Sequence, residues 1–102
     1  MYIEIDKEAI PYRFEIELGG ELFEMEIKYN QRFDFFTVDL YRDDELLLAG
    51  QKIVYGQPLF PDYDNRFPKV PIIPMDESGT PIDRITYDNF GESVLLLVGE
   101  VA

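Results

Sequence analysis

The chain of 102 residues contains no cysteine and no histidine. Without cysteine there is no disulfide, no thiolate nucleophile and no thiol ligand for zinc. Without histidine there is no imidazole ligand and no side chain whose ordinary pKa lies near neutrality. Most enzyme chemistries lose their central residue, so the reading is a protein that is not an enzyme and carries no cofactor and no metal. Compartment stays open, because a reduced cytosol and a bacterial surface both accommodate cysteine-free domains. Basic residues are scarce as well: 9 Lys and Arg stand against 21 Asp and Glu, a net charge of −12. Such a surface repels phosphate backbones and anionic membranes, which are bound through Lys and Arg. The expected partners therefore include no nucleic acid and no membrane. No apolar run approaches the length of a bilayer span, and Met1-Tyr2-Ile3-Glu4-Ile5-Asp6 lacks the basic and apolar regions of a leader. The protein is expected to be soluble as made and to reach the outside only by assembly or lysis.

What the chain does have is apolar surface. Eight Phe and seven Tyr accompany many Val, Ile and Leu, more than a disordered acidic chain carries. A chain of this length buries roughly two-thirds of its unfolded surface, enough for one core. We therefore expect a single β domain over residues 1–102. The hydrophobic period is two almost throughout. Tyr12, Phe14, Ile16 and Leu18 alternate with Arg13, Glu15 and Glu17, and beyond Gly19-Gly20 the residues Phe23, Met25, Ile27 and Tyr29 alternate with Leu22, Glu24, Glu26 and Lys28. Two glycines at positive φ suit a two-residue hairpin turn, which sets Ile16 opposite Phe23, Phe14 opposite Met25 and Tyr12 opposite Ile27. The same register puts Glu15 against Glu24, a like-charge pair, and Arg13 against Glu26.

A turn at Asn30-Gln31-Arg32 leads into a strand over 33–41, with Phe36, Val38 and Leu40 on one side and Phe33, Phe35, Thr37, Asp39 and Tyr41 on the other. A polar turn over 42–45 precedes a strand over 46–54, whose Leu46-Leu47-Leu48 run reads as buried on both faces, with Gly50 marking a bulge. A last strand over 93–101 is apolar throughout, and a short strand over 2–5 completes about six. Asp88-Asn89-Phe90-Gly91 reads as a turn with Gly91 or Asn89 in a left-handed conformation. The fold class is all-β: a small antiparallel barrel or sandwich.

Six of the seven prolines fall between residues 56 and 81. Proline cannot donate to a ladder, so this arm is expected to run extended along the domain edge, with Val70-Pro71-Ile72-Ile73 as a short edge strand and 76–81 as an exposed loop. Its Phe60, Tyr63 and Phe67 have two readings: surplus apolar surface for a subunit contact, or a cap over one open end of the domain. Tyr55, Phe33, Phe35 and Tyr41 pose the same question and complete the candidate interface. The carboxylates form clusters without the defined pair that glycoside hydrolysis needs. Asp62-Tyr63-Asp64-Asn65 opens like a calcium loop, but Phe67 occupies the glycine position and Ile73 the bidentate glutamate position. Pro58/Pro61, Pro68/Pro71 and Pro71/Pro74 match PxxP, and the interleaved aromatics read as folding back onto the domain.

Three stretches taken together carry a family resemblance. They are Tyr29-Asn30-Gln31-Arg32; Phe36-Thr37-Val38-Asp39-Leu40-Tyr41 running into Leu48-Ala49-Gly50 and Val54-Tyr55-Gly56-Gln57-Pro58-Leu59; and Asp88-Asn89-Phe90-Gly91 with residues 94–98. In this order the chain resembles the phage baseplate plug family over most of its length. The resemblance implies a non-enzymatic structural protein of a phage or prophage tail, made in the bacterial cytoplasm and localised in the virion. It implies docking to hub, spike or tube subunits and a homo-oligomer, with a trimer following the usual symmetry of tail tips. It carries no catalytic residues across. The alternative function, motivated by the charge of −12, is an acidic DNA mimic that inhibits a basic host protein.

Overall fold

The structure, a computed structural model, describes residues 2–60, 66–76 and 84–99. Tyr63 and the rest of the 62–65 run, the loop over 77–81 and the last strand beyond residue 99 lie outside the described residues. The described residues form seven strands: β1 (Tyr2–Ile3), β2 (Tyr12–Leu18), β3 (Glu21–Asn30), β4 (Phe35–Arg42), β5 (Glu45–Lys52), β6 (Ile72–Asp76) and β7 (Val94–Val98), with one 3₁₀ turn at Lys7–Ala9. They form two antiparallel sheets ordered β2-β3-β4-β5 and β1-β7-β6. The sheets stay separate, so the fold is an open sandwich and not a closed barrel.

The β2–β3 hairpin has the expected register at every position, with Ile16 opposite Phe23, Phe14 opposite Met25 and Tyr12 opposite Ile27. Gly19 and Gly20 take φ values of 61° and 83°, the two left-handed positions that let such a turn follow the strand twist. Alternation then sends Phe23, Met25 and Ile27 of β3 and Phe36, Val38 and Leu40 of β4 into the core, facing Ile3, Ile72, Val94 and Leu96 of the other sheet. Phe36 and Phe90 meet at 4.4 Å between ring centroids, and Tyr29 adds a ring at 4.8 Å from Phe36.

The Leu46-Leu47-Leu48 run is not buried on both faces. It lies on an edge strand, with Leu46 exposed and Leu47 and Leu48 half-buried against the core. Two bulges explain the missing alternation. Val38 pairs with Gln51 and Leu40 with Leu48, so Ala49 and Gly50 together oppose Asp39; Tyr41 then pairs with Leu46, leaving Leu47 as a second extra residue. Gly50 occupies its bulge at φ 69°.

The proline-rich arm makes more sheet than expected. Its β6 pairs along its length with β7, and Pro74 stands opposite Leu96. The Pro74 carbonyl accepts from the Gly56 N–H at 2.8 Å and that of Ile72 from Leu59 at 2.8 Å, so these residues turn their backbone groups away from β7. The proton that proline lacks is therefore not missed by the ladder.

Candidate functional site

The outer faces of the two sheets are built from different side chains. On β2–β5 the alternation expected from the sequence brings Arg13, Glu15, Glu24, Glu26, Lys28, Asp39, Tyr41 and Lys52 to one surface. Arg13 lies 3.7 Å from Glu24 and 3.5 Å from Glu26, and its guanidinium covers the Tyr41 ring at 3.7 Å. Asp39 is the one buried charged residue among those described, 4% exposed. Its Oδ1 accepts from the Gly50 N–H of the bulge at 2.7 Å and its Oδ2 pairs with Lys28 Nζ at 2.9 Å. Burial pushes the Asp39 carboxyl up, but the Gly50 N–H and the Lys28 ammonium outweigh it and hold the group below the usual aspartate range. This face is a solvated mosaic whose charges largely answer one another.

The β1-β7-β6 sheet presents something else. Its register lines up Tyr2, Leu97 and Ile73 in one row and Leu95 with Met75 in the next, while Ile3, Leu96 and Pro74 of the intervening row are buried. Tyr2 is 44% and Met75 36% exposed; Ile73, Leu95 and Leu97 are half-buried and none of the five belongs to the core cluster. Among the described residues, all five outward side chains of this sheet are apolar or aromatic. Sequence reasoning nominated none of them. The signal was the unbroken apolar run of β7 with Ile72-Ile73-Pro74-Met75 of β6, which reads equally as a doubly covered strand.

The aromatics nominated from sequence scatter. Phe60 and Phe67 are 5% and 3% exposed and belong to the core cluster, the capping arrangement, so neither offers free surface in this fold. The physical reason is that the two sheets leave the β5 and β6 side of the core open, and the arm closes it. Phe60 holds φ 53° there, with its N–H donating to Gln51 Oε1 at 3.0 Å. Tyr55 is half-buried, its hydroxyl accepting from the Asp76 N–H at 3.1 Å. Phe35 lies under Lys52 Nζ at 4.9 Å and Tyr41 under Arg13. Phe33 alone among the described candidates is broadly exposed, at 63%.

One residue of the stretches behind the family resemblance, Tyr29, reaches Asp34, a residue at φ 54° in the β3–β4 turn. Tyr29 donates its hydroxyl proton to Asp34 Oδ1 at 2.8 Å, the Tyr87 N–H donates to the same oxygen at 2.9 Å, and Arg84 pairs with Oδ2 at 2.8 Å. Asn30 Oδ1 accepts from the Phe33 N–H at 3.1 Å. The Tyr29 and Tyr87 donors, helped by Arg84, hold the Asp34 carboxyl below its ordinary range. Both perturbed carboxylates thus serve as ionised acceptors that tie segments together, whereas a general acid needs its pKa raised. Among the described residues there is no cluster of metal-ligating side chains, and no helix is long and apolar enough to cross a membrane.

Residues 1–101 match a protein-family model described as cyanophage baseplate Pam3 plug gp18. No curated protein matches the chain.

Proposed function

The chain belongs to the phage baseplate plug family, and from that premise we propose that it docks into the tail tip through the outer face of β1-β7-β6. Membership makes it a structural component of a phage baseplate, in the virion tail, among other baseplate and tail proteins. The observation that carries the docking reading is the apolar surface formed by Tyr2, Ile73, Met75, Leu95 and Leu97 on a chain of net charge −12. A baseplate subunit works by shape and burial: an apolar sheet face covered by a neighbour supplies the adhesion, while the charged face keeps the free chain soluble. Hub, spike and tube subunits are the partners this role requires, and Phe33 is a second contact at the β3–β4 turn. The structural role is also favoured over a DNA mimic by Arg13 and Lys28, which interrupt the carboxylates of the charged face.

The test is incorporation. The chain is co-expressed with the tail genes that accompany it, and its content in purified tails is measured by quantitative mass spectrometry. An Ile73→Lys, Leu97→Lys double variant is expected to keep the wild-type circular dichroism spectrum and to lose at least about tenfold in incorporation, as hot-spot positions do. Incorporation equal to wild type overturns the assignment of this face.

A further inference from the structure

The sandwich has four strand edges, and three are blunted in ways that proteins use against unwanted pairing. β5 is bent by two bulges. β6 contains Pro74 and is flanked by the 56–59 segment through the Gly56 and Leu59 N–H groups. β1 has two residues. The fourth edge, β2, is different: seven residues in unbroken register with β3, without proline, glycine or bulge.

The two-residue turn makes Leu18 and Glu21 the closing hydrogen-bonded pair, so Leu18, Ile16, Phe14 and Tyr12 bond to β3. Arg13, Glu15 and Glu17 therefore turn their N–H and C=O groups outward, where no described residue bonds them. The inner row is also unfinished. Tyr12, Phe14 and Ile16 are only half-buried, whereas Phe23, Met25 and Ile27, beside them on β3, are fully buried. On the outer row Glu15 faces Glu24, and Arg13 is shared between Glu24 and Glu26.

We propose that β2 accepts a fifth strand from another protein, an extended segment whose residues alternate between basic and apolar. Its backbone completes the ladder at Arg13, Glu15 and Glu17. Its apolar side chains extend the inner row beside Phe14 and Ile16, and its basic side chains stand beside Glu15 and Glu17, relieving the Glu15–Glu24 repulsion. Charge selects this occupant over a second copy of the chain, which would bring a further −12 to the contact. The surface lies on the sheet opposite to the apolar docking face and is independent of it.

The probe is a short synthetic peptide alternating lysine with valine, added to the full chain and followed by amide hydrogen exchange in NMR spectra. Saturable binding that slows exchange at Arg13, Glu15 and Glu17 by about tenfold or more is the expected result. The same peptide N-methylated at alternate residues should not bind. A Glu15→Lys, Glu17→Lys variant, whose Ile16 and Phe23 amides report an intact hairpin, should bind about tenfold more weakly. If that variant does not fold, Glu15→Gln with Glu17→Gln takes its place with the same expectation. Binding without protection of the three amides, equal binding of the N-methylated peptide, or protection that appears without peptide as the chain dimerises each overturns the proposal.

Discussion

On the outer face of β2–β5, Arg13 and Lys28 sit among Glu24, Glu26, Asp39 and Tyr41, and the opposite charges meet within a few ångströms. On the outer face of β1-β7-β6 the five outward strand residues Tyr2, Ile73, Met75, Leu95 and Leu97 are all apolar or aromatic, with Glu4, Asp6 and Glu92 lining a cleft beside Tyr2 and Leu95. Both sheets bury their other face in one core. The outer face of the first sheet is therefore suited to water, whereas that of the second is the apolar surface proposed above for docking. On the proposed docking reading this asymmetry matters, because a subunit adhesive on both faces would associate with itself before it met the tail.

That comparison breaks most visibly if the buried arm aromatics behave as interface residues. Phe60→Ala and Phe67→Ala are each expected to lower the unfolding free energy of the isolated chain by about 3–4 kcal/mol, read by chemical denaturation. Losses below about 1 kcal/mol would return them to the surface. On the charged face, Asp39→Ala deprives the bulge N–H of Gly50 and the Lys28 ammonium of their acceptor, and is expected to cost about 2 kcal/mol, with Asp39→Asn costing less. On the apolar face, Met75→Lys with Leu97→Lys should change stability by about 1 kcal/mol or less while reducing binding of a hydrophobic dye, because no core packing is lost. A smaller gain comes from the turn between the charged strands. Asp43 and Asp44 hold φ of 51° and 64°, so replacing them with Asn-Gly should stabilise the chain by about 0.5–1 kcal/mol in the same denaturation assay.

The last expectation concerns acid. The Asp34 and Asp39 carboxyls both lie below their ordinary range in the folded chain. Depressed carboxyls contribute stability that is present above the unfolded aspartate pKa, about 3.9, and is lost as pH falls through the folded values. Unfolding free energy should therefore stay level for these two groups down to about pH 4 and drop below it. Asp34→Asn should flatten that acid limb in denaturant titrations, and an unchanged limb would contradict the ties to Tyr29, Tyr87 and Arg84.

Much of the architecture was legible in the residues. The β2–β3 register, the left-handed Gly19-Gly20 turn, the inward row of Phe36, Val38 and Leu40, the Gly50 bulge and the left-handed Gly91 of the 88–91 turn, at φ 81°, are all as expected. The family was legible too, and its marker residues Tyr29 and Asn30 organise the β3–β4 turn. The apolar outer face of β1-β7-β6 was not. Leu95 and Leu97 are indistinguishable in composition from Leu96, and only their position relative to the other sheet makes one buried and two outward. Leu46-Leu47-Leu48 misled for the same reason, since its second bulge leaves no trace in hydropathy.

By itself the sequence determined what is local: strands from the two-residue period, turns from glycine at positive φ, and the exclusion of thiol and imidazole chemistry from the absence of those side chains. Only the tertiary structure decided which apolar residues are covered, because covering depends on segments far apart in the chain. The arm carries Phe60 and Phe67 into the core between the sheets, and β7 takes the centre of a sheet whose outward Leu95 and Leu97 stay outside the core cluster. Burial is a property of the neighbours that arrive, and a single strand cannot specify them.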